Sequence, residues 1–183
     1  MIHSFWIPSL GGKMDMIPGR TNRLSLLATR PGTYRGQCAE FCGISHAYMA
    51  FPAIAMEPAD FEAWLEQRSR PSAGVWAPSA GHDLFMREGC GTCHSVDGTE
   101  AGGTEPAGIA LGRPPAAGIA GPDLSHVGSR VTVGAGLLAN DEEALARFIA
   151  HSASIKPGSQ MPAYPGLSPD ELRAIAAWLK GLQ

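Results

Sequence analysis

Four cysteines in two close pairs, each trailed by a histidine, constrain this chain more than any other feature. Cys38 and Cys42 are followed by His46 and Met49, and Cys90 and Cys93 directly by His94. A disulfide framework does not need histidines at these places; metal or haem chemistry does. The chain therefore reads as two halves, each organised by its own centre. With 183 residues it has room for two small domains.

In the first centre two thiolates, an imidazole and a thioether fall within twelve residues, a soft donor set that suits copper. A Cys-x3-Cys disulfide would leave His46 and Met49 idle, and Met49 is a poor zinc ligand. The loop has to wrap its metal, so it is not expected to be a helix, and Gly43 breaks the run. In the second centre, Cys90-Gly-Thr-Cys93-His94 has the spacing for two thioether links to haem vinyl groups with the histidine turned onto the iron. The competitors are a redox cysteine pair or half a zinc site. The remaining histidines of that half, His82, His126 and His151, lack ligand spacing and read as solvated or structural. Met161, held outside a helix by Pro and Gly neighbours, is the candidate sixth ligand. Met86, on the helix before the haem motif, reads as core filler. His/Met ligation closes the iron and favours electron transfer over ligand chemistry.

The first half reads as short strands at Ile2–Ile7, Arg23–Arg30, Thr33–Cys38 and Ala50–Glu57, separated by Gly and Pro turns. Pro58–Gln67 reads as a helix burying Phe61, Trp64 and Leu65. Residues 68–80 have linker composition and set the expected boundary between domains 1–67 and 81–183. The second half reads as helices over Gly81–Glu88, over Asp141–His151 with Asn140 as N-cap, and over Ser168–Leu182 behind a Ser168/Glu171 capping box. The Gly/Pro-rich run Asp97–Pro122 reads as a surface loop. A net charge of −3 argues against a nucleic-acid partner. Residues 1–80 carry 7 basic against 6 acidic side chains and residues 81–183 carry 7 against 11, so the second half is mildly acidic.

Residues 81–182 resemble a small class I cytochrome c. That resemblance implies a first helix crossing the last, Gly81 and Phe85 meeting Trp178, and the Pro122 carbonyl of Gly121-Pro122-Asp123-Leu124 holding Nδ1–H of His94. Residues 1–67 resemble the second half of the copper-A domain of cytochrome c oxidase subunit II. The match lies in His3-Ser-Phe-Trp-Ile-Pro-Ser-Leu, Lys13-Met-Asp-Met-Ile-Pro-Gly-Arg20, Arg30-Pro-Gly-Thr-Tyr-Arg-Gly-Gln-Cys38 and the ligand loop. It implies a dinuclear copper centre (CuA) bridged by Cys38 and Cys42, with His3 and His46 as terminal ligands. Met49 and the Glu40 carbonyl complete it, and the Glu40 carboxylate reaches a magnesium ion at the contact with subunit I.

The implied fold is multidomain, β then α: part of a cupredoxin-like Greek-key β-sandwich followed by an all-α cytochrome c domain. The implied function is electron transfer from a donor cytochrome or quinol-oxidising complex, through covalent haem c and CuA, to oxidase subunit I, where oxygen is reduced. This chain would be one subunit of a membrane-bound oxidase, on the outer (periplasmic or extracellular) side. The alternatives are a nitrous oxide reductase-like protein with CuA, or a c-type carrier with a non-functional cupredoxin remnant. The family's membrane hairpin, first strands and aromatic patch are not in the sequence, and Met1-Ile-His-Ser-Phe-Trp has no export signal. The expectation is that the natural start lies upstream of Met1.

Overall fold

Alternating residues after His3 build strand β1, His3–Trp6, the centre around which the first sheet assembles. The computed structural model describes residues 1–75, 77–96 and 121–183, so residues 97–120 of the expected surface loop, and Trp76 of the expected linker, lie outside the described residues. Strands β2 (Met14–Met16), β3 (Gly32–Cys38) and β4 (Ala50–Ala55) complete an antiparallel sheet in the order β2-β1-β3-β4. Its register pairs His3 with Met16, Phe5 with Cys38, and Gln37 with Ala50. Phe5 and Phe51 stack at 5.0 Å across β3. They can do so because Gly36 lies under the ring, where a Cβ would fall 2.2 Å from Phe51.

The described residues group into two compact units. The first is Met1–Phe61 with Val131–Ala139 and Ser152–Pro162, and the second is Glu62–Arg130 with Asn140–His151 and Ala163–Gln183. Within residues 1–61 the deeply buried side chains are few, chiefly Ser4 and Ile7, while Met16, Leu27 and Ile54 stand at the surface. One sheet with apolar side chains on its surface is what part of a sandwich presents.

Three sequence expectations fail here. Arg23–Arg30 is not a strand: it pairs with none of the four strands, and alternation without a ladder partner does not make one. Leu27 is accordingly 75% exposed. Helix α1 forms as expected at Pro58–Arg68, yet none of its residues is buried; Phe61, Trp64 and Leu65 remain 45%, 38% and 43% exposed. Helical spacing fixes which side chains share a face, not what covers that face. Met86 is 45% exposed, because it lies outside the helix-crossing face formed by its neighbours Leu84 and Phe85.

The second unit holds the larger core. Helix α2, Ala80–Arg87, is capped by Ser79, whose hydroxyl accepts from the His82 N–H. It crosses α4, Pro169–Gly181, with the Phe85 and Trp178 rings 5.0 Å apart. Phe85, Ile175, Ala176 and Leu179 are at least 95% buried around this crossing, and burial of a side chain such as Phe85 contributes roughly 1.5–3 kcal/mol. The helices approach this closely only because residue 81 has no side chain: a Cβ there would lie 2.1 Å from the Ala174 carbonyl oxygen and 2.6 Å from Trp178 Cβ. Gly81→Ala should therefore destabilise the helical unit by about 1–3 kcal/mol, the usual range for overpacking. Urea denaturation followed by far-ultraviolet circular dichroism measures this.

Helix α3 spans Glu142–Ile155, with non-helical geometry at His151. Its N-cap is Asp141, whose carboxylate accepts from the Ala144 N–H at 2.7 Å, and not Asn140 as the sequence suggested. The Asn140 amide instead donates to the carbonyls of Val127, Gly128 and Arg130, at 2.7, 3.3 and 2.7 Å. An amide with two hydrogens can serve carbonyls that a 3-10 turn at Val127–Ser129 leaves outward, a task a carboxylate cannot perform. A short hairpin, β5 (Thr132–Val133) with β6 (Leu138–Ala139), adds strand content that helical patterning does not reveal.

The capping box of α4 forms as the sequence implies, Ser168 N–H donating to Glu171 and Glu171 N–H to the Ser168 hydroxyl. Arg87 adds a 2.8 Å ion pair, and together these hold the Glu171 carboxyl down at about 2, the Arg87 hydrogen bond being the larger cause and the Ser168 bonds next. A folded value below the ordinary 4.5 means stability that is complete above that pH and lost as pH falls towards 2. The stability gap between wild type and Glu171→Gln should therefore be constant near neutrality, shrink below about pH 4.5 and close near pH 2. Denaturant titrations of both proteins across that range measure it.

Candidate metal centres

The sheet register delivers the first centre. Pairing of β1 with β3 sets Phe5 opposite Cys38, and Ala39 N–H donates to the Ser4 carbonyl at 2.8 Å, which brings His3 beside the end of β3. The ligand loop is closed at its ends by Cys38 N–H donating to the Met49 carbonyl at 3.0 Å. Gly43 turns the loop with φ of 118°, a left-handed value that favours glycine. A single 3-10 turn, His46–Tyr48, follows, so the loop wraps rather than running as a helix.

This path converges the donors. Cys38 and Cys42 have their Sγ atoms 3.7 Å apart, and neither is in a disulfide. His3 Nδ1 lies 3.7 Å from Cys38 Sγ, and His46 Nδ1 lies 3.6 Å from Cys42 Sγ. Met49 Sδ is 3.9 Å from Cys42 Sγ, and the Glu40 carbonyl oxygen is 3.1 Å from Cys38 Sγ. Donor atoms of His3, Cys38 and Cys42 lie within 4.8 Å of one another. All six positions named from the sequence thus come together, two sulfurs at the centre with one imidazole beside each. Soft sulfur with imidazole and no carboxylate in the cluster fits copper. Burial raises the Cys42 thiol above its ordinary value, the Cys38 hydrogen bond and charge add to this, and the positive Lys156 pulls the other way. Around the cluster Phe41, Ile44 and Tyr48 are exposed, with the Phe41 ring 5.7 Å from that of His46.

At the second centre, Cys90–Thr92 forms a 3-10 turn directly after α2, and the His94 N–H donates to the Cys90 carbonyl at 3.0 Å. Cys90 is buried and Cys93 and His94 are half-buried. His94 Nδ1 lies 2.7 Å from the Pro122 carbonyl oxygen, which leaves Nε2 for a metal. Burial pushes the Cys90 thiol up, opposed by a hydrogen bond from Tyr164, whose own hydroxyl is also pushed up by burial. Two cysteines and a histidine on one short turn, with the imidazole already oriented, fit covalent haem. Met161 sits on a different segment, with its carbonyl accepting from the Ser152 hydroxyl at 2.7 Å.

Several residues that position His94 carry no motif. Gly121 faces the His94 ring so closely that a Cβ would fall 2.5 Å from Cε1 and 2.6 Å from Nδ1. Gly121 N–H donates to the Cys93 carbonyl at 2.8 Å, and Ser95 Oγ donates to Asp123 at 2.5 Å. The Arg130 guanidinium holds the Asp123 carbonyl at 2.5 Å. The Gly121-Pro122-Asp123-Leu124 stretch marked this clamp in the sequence, and Ser95 and Arg130 did not. Two of the other histidines have structural contacts: His82 packs its edge on Trp178 at 5.3 Å, and His126 Nε2 lies 3.0 Å from the Arg70 carbonyl.

Comparison with known proteins assigns each half. The family described as cytochrome C oxidase subunit II, periplasmic domain, matches residues 1–56, and the cytochrome c family matches residues 78–183. Cytochrome c oxidase subunit 2 of Alkalihalophilus pseudofirmus is 39% identical over 100% of this chain and 49% of its own length. The same subunit of Bacillus subtilis is 33% identical over 99% of this chain and 50% of its own. The chain thus spans about half the length of the relatives it matches. The crystal structure of the periplasmic domain of subunit II of cytochrome oxidase of Bradyrhizobium japonicum is 41% identical over 36% of this chain and 48% of that one, with a TM-score of 0.35. The chain belongs to the cytochrome c family, whose model covers residues 78–183, and its residues 1–56 are similar to the periplasmic domain of cytochrome c oxidase subunit II.

Proposed function

We propose that this chain is an electron-transfer subunit of a haem–copper terminal oxidase. Cys38 and Cys42 would bridge a dinuclear copper centre, with His3, His46, Met49 and the Glu40 carbonyl as its outer ligands. Cys90 and Cys93 would hold haem c covalently, His94 would ligate the iron, and Met161 is the sixth ligand on the sequence argument. When bound, the two groups supply successive one-electron carriers between a donor cytochrome or quinol-oxidising complex and subunit I, where oxygen is reduced. The chain's own residues fix the donors in advance: the Pro122 carbonyl orients the His94 imidazole, and the Cys38 N–H to Met49 carbonyl bond shuts the copper loop. Donors already in place leave little to rearrange when an electron arrives.

The observation that carries this reading is the pair of cysteine sulfurs 3.7 Å apart with an imidazole nitrogen beside each. Relatives named as oxidase subunits over the whole chain support the oxidase in preference to a nitrous oxide reductase. Among the described residues no helix is long and apolar enough to cross a membrane. Placement at the outer membrane face, beside subunit I and the other oxidase subunits, is part of the same proposal, as is a magnesium ion at the exposed Glu40 carboxylate. Copper and haem analysis of purified, copper-loaded protein tests the reading. Near-infrared absorption of a mixed-valence copper pair together with covalent haem supports it. Covalent haem without that absorption leaves only a c-type carrier.

A further inference from the structure

The segment that carries Met161 is packed onto the copper ligand loop within the first compact unit. The joint includes a hydrogen bond in which the Ser45 hydroxyl donates to the Pro157 carbonyl at 2.5 Å. Ser45 is only 9% exposed and sits next to His46, and Gly158 lies against Ile44, where a Cβ would be 3.9 Å from Ile44 Cβ. The segment is stiffened on its own side by Lys156 N–H to the Ser152 carbonyl at 2.8 Å and Ser159 N–H to the Lys156 carbonyl at 3.0 Å. Its far end is tied by the Ser152 hydroxyl to the Met161 carbonyl. A second strap crosses nearby, Ala50 N–H donating to the Ala135 carbonyl at 3.2 Å. Nothing in cofactor binding requires a serine at position 45, since neither centre uses its hydroxyl.

We propose that Ser45 is a positioning residue for electron transfer within the chain: its bond to the Pro157 carbonyl holds the Met161 segment on the loop bearing Cys42 and His46. This rests on the electron-relay reading above and adds to it a specific joint.

The test uses the full chain loaded with haem and copper, as wild type, Ser45→Ala and Ser45→Thr. Two quantities are measured: amide hydrogen exchange over residues 155–161, and the rate of haem-to-copper electron equilibration after photoreduction of the haem. Rates are taken on the fraction showing both absorptions. Loss of one neutral hydrogen bond should loosen the joint about fivefold. Exchange in Ser45→Ala should therefore rise, and equilibration fall, by that factor, and Ser45→Thr should restore both. Faster exchange with an unchanged electron rate makes Ser45 a structural tie and overturns the proposal, as does a Ser45→Ala variant identical to wild type in both. If wild type itself shows no haem-to-copper equilibration, the relay reading falls and takes this proposal with it; a fast wild-type rate matched by Ser45→Ala overturns the proposal alone.

Discussion

Cys42→Ser is expected to abolish the near-infrared copper absorption while leaving covalent haem intact. Cys42 Sγ lies within 3.6–3.9 Å of the donors of Cys38, His46 and Met49, as many partners as Cys38 Sγ has in His3, Glu40 and Cys42 itself. A serine hydroxyl is a hard donor that stays protonated at neutral pH, so it cannot replace the thiolate that the proposed centre would place between two metals. Removing a group that merely orients a ligand costs about 10–100-fold in metal affinity, and removing the central ligand should exceed the upper end of that range. The sheet itself should persist, because the loop ends are closed by the backbone bond from Cys38 to Met49, which the substitution leaves in place. Copper titration monitored in the near infrared, with haem absorbance as the internal control, gives the result. Retention of the band in Cys42→Ser would remove this residue from the centre.

Gly121→Ala should disturb the histidine proposed to ligate the haem iron without replacing any of the proposed ligands. The added methyl would sit 2.5 Å from the His94 ring, so the ring has to turn and give up its 2.7 Å bond to the Pro122 carbonyl. Loss of such an orienting partner lowers ligand affinity about 10–100-fold. Carbon monoxide should then bind the ferrous haem of Gly121→Ala but not that of wild type. Pro122→Ala, which keeps the carbonyl, should behave much more like wild type. A Gly121→Ala protein with wild-type ligation and potential would show that this contact does not orient the ring.

The convergence of these donors was legible because their chemistry lies in residue type and spacing: soft donors within one loop, and Cys-x2-Cys-His after a helix. The capping box at Ser168 was legible for the same reason, since all its partners are local. What failed depended on distant neighbours. Arg23–Arg30 alternates like a strand but pairs with no neighbour in the sheet, and α1 has an apolar stripe that stays at the surface. Asn140 resembled a cap until the outward carbonyls of residues 127–130 gave its amide another use. The close approaches at Gly81 and Gly121 fall in the stretches that resemble a cytochrome c, whereas the Ser45 bond to a residue 112 positions away leaves no mark in the sequence. The hairpin at Thr132–Ala139 turns through Gly134, Ala135 and Gly136, all with positive φ, a local geometry that composition hinted at only through its glycines.

The most direct test of the electron relay is time-resolved. One electron is injected photochemically into the oxidised, fully loaded chain, and the haem and near-infrared copper absorptions are followed together. The relay predicts that the haem reoxidises with the same time constant as the copper band bleaches, independent of protein concentration. A haem that stays reduced while the copper band is unchanged, or exchange whose rate rises with concentration, would contradict it.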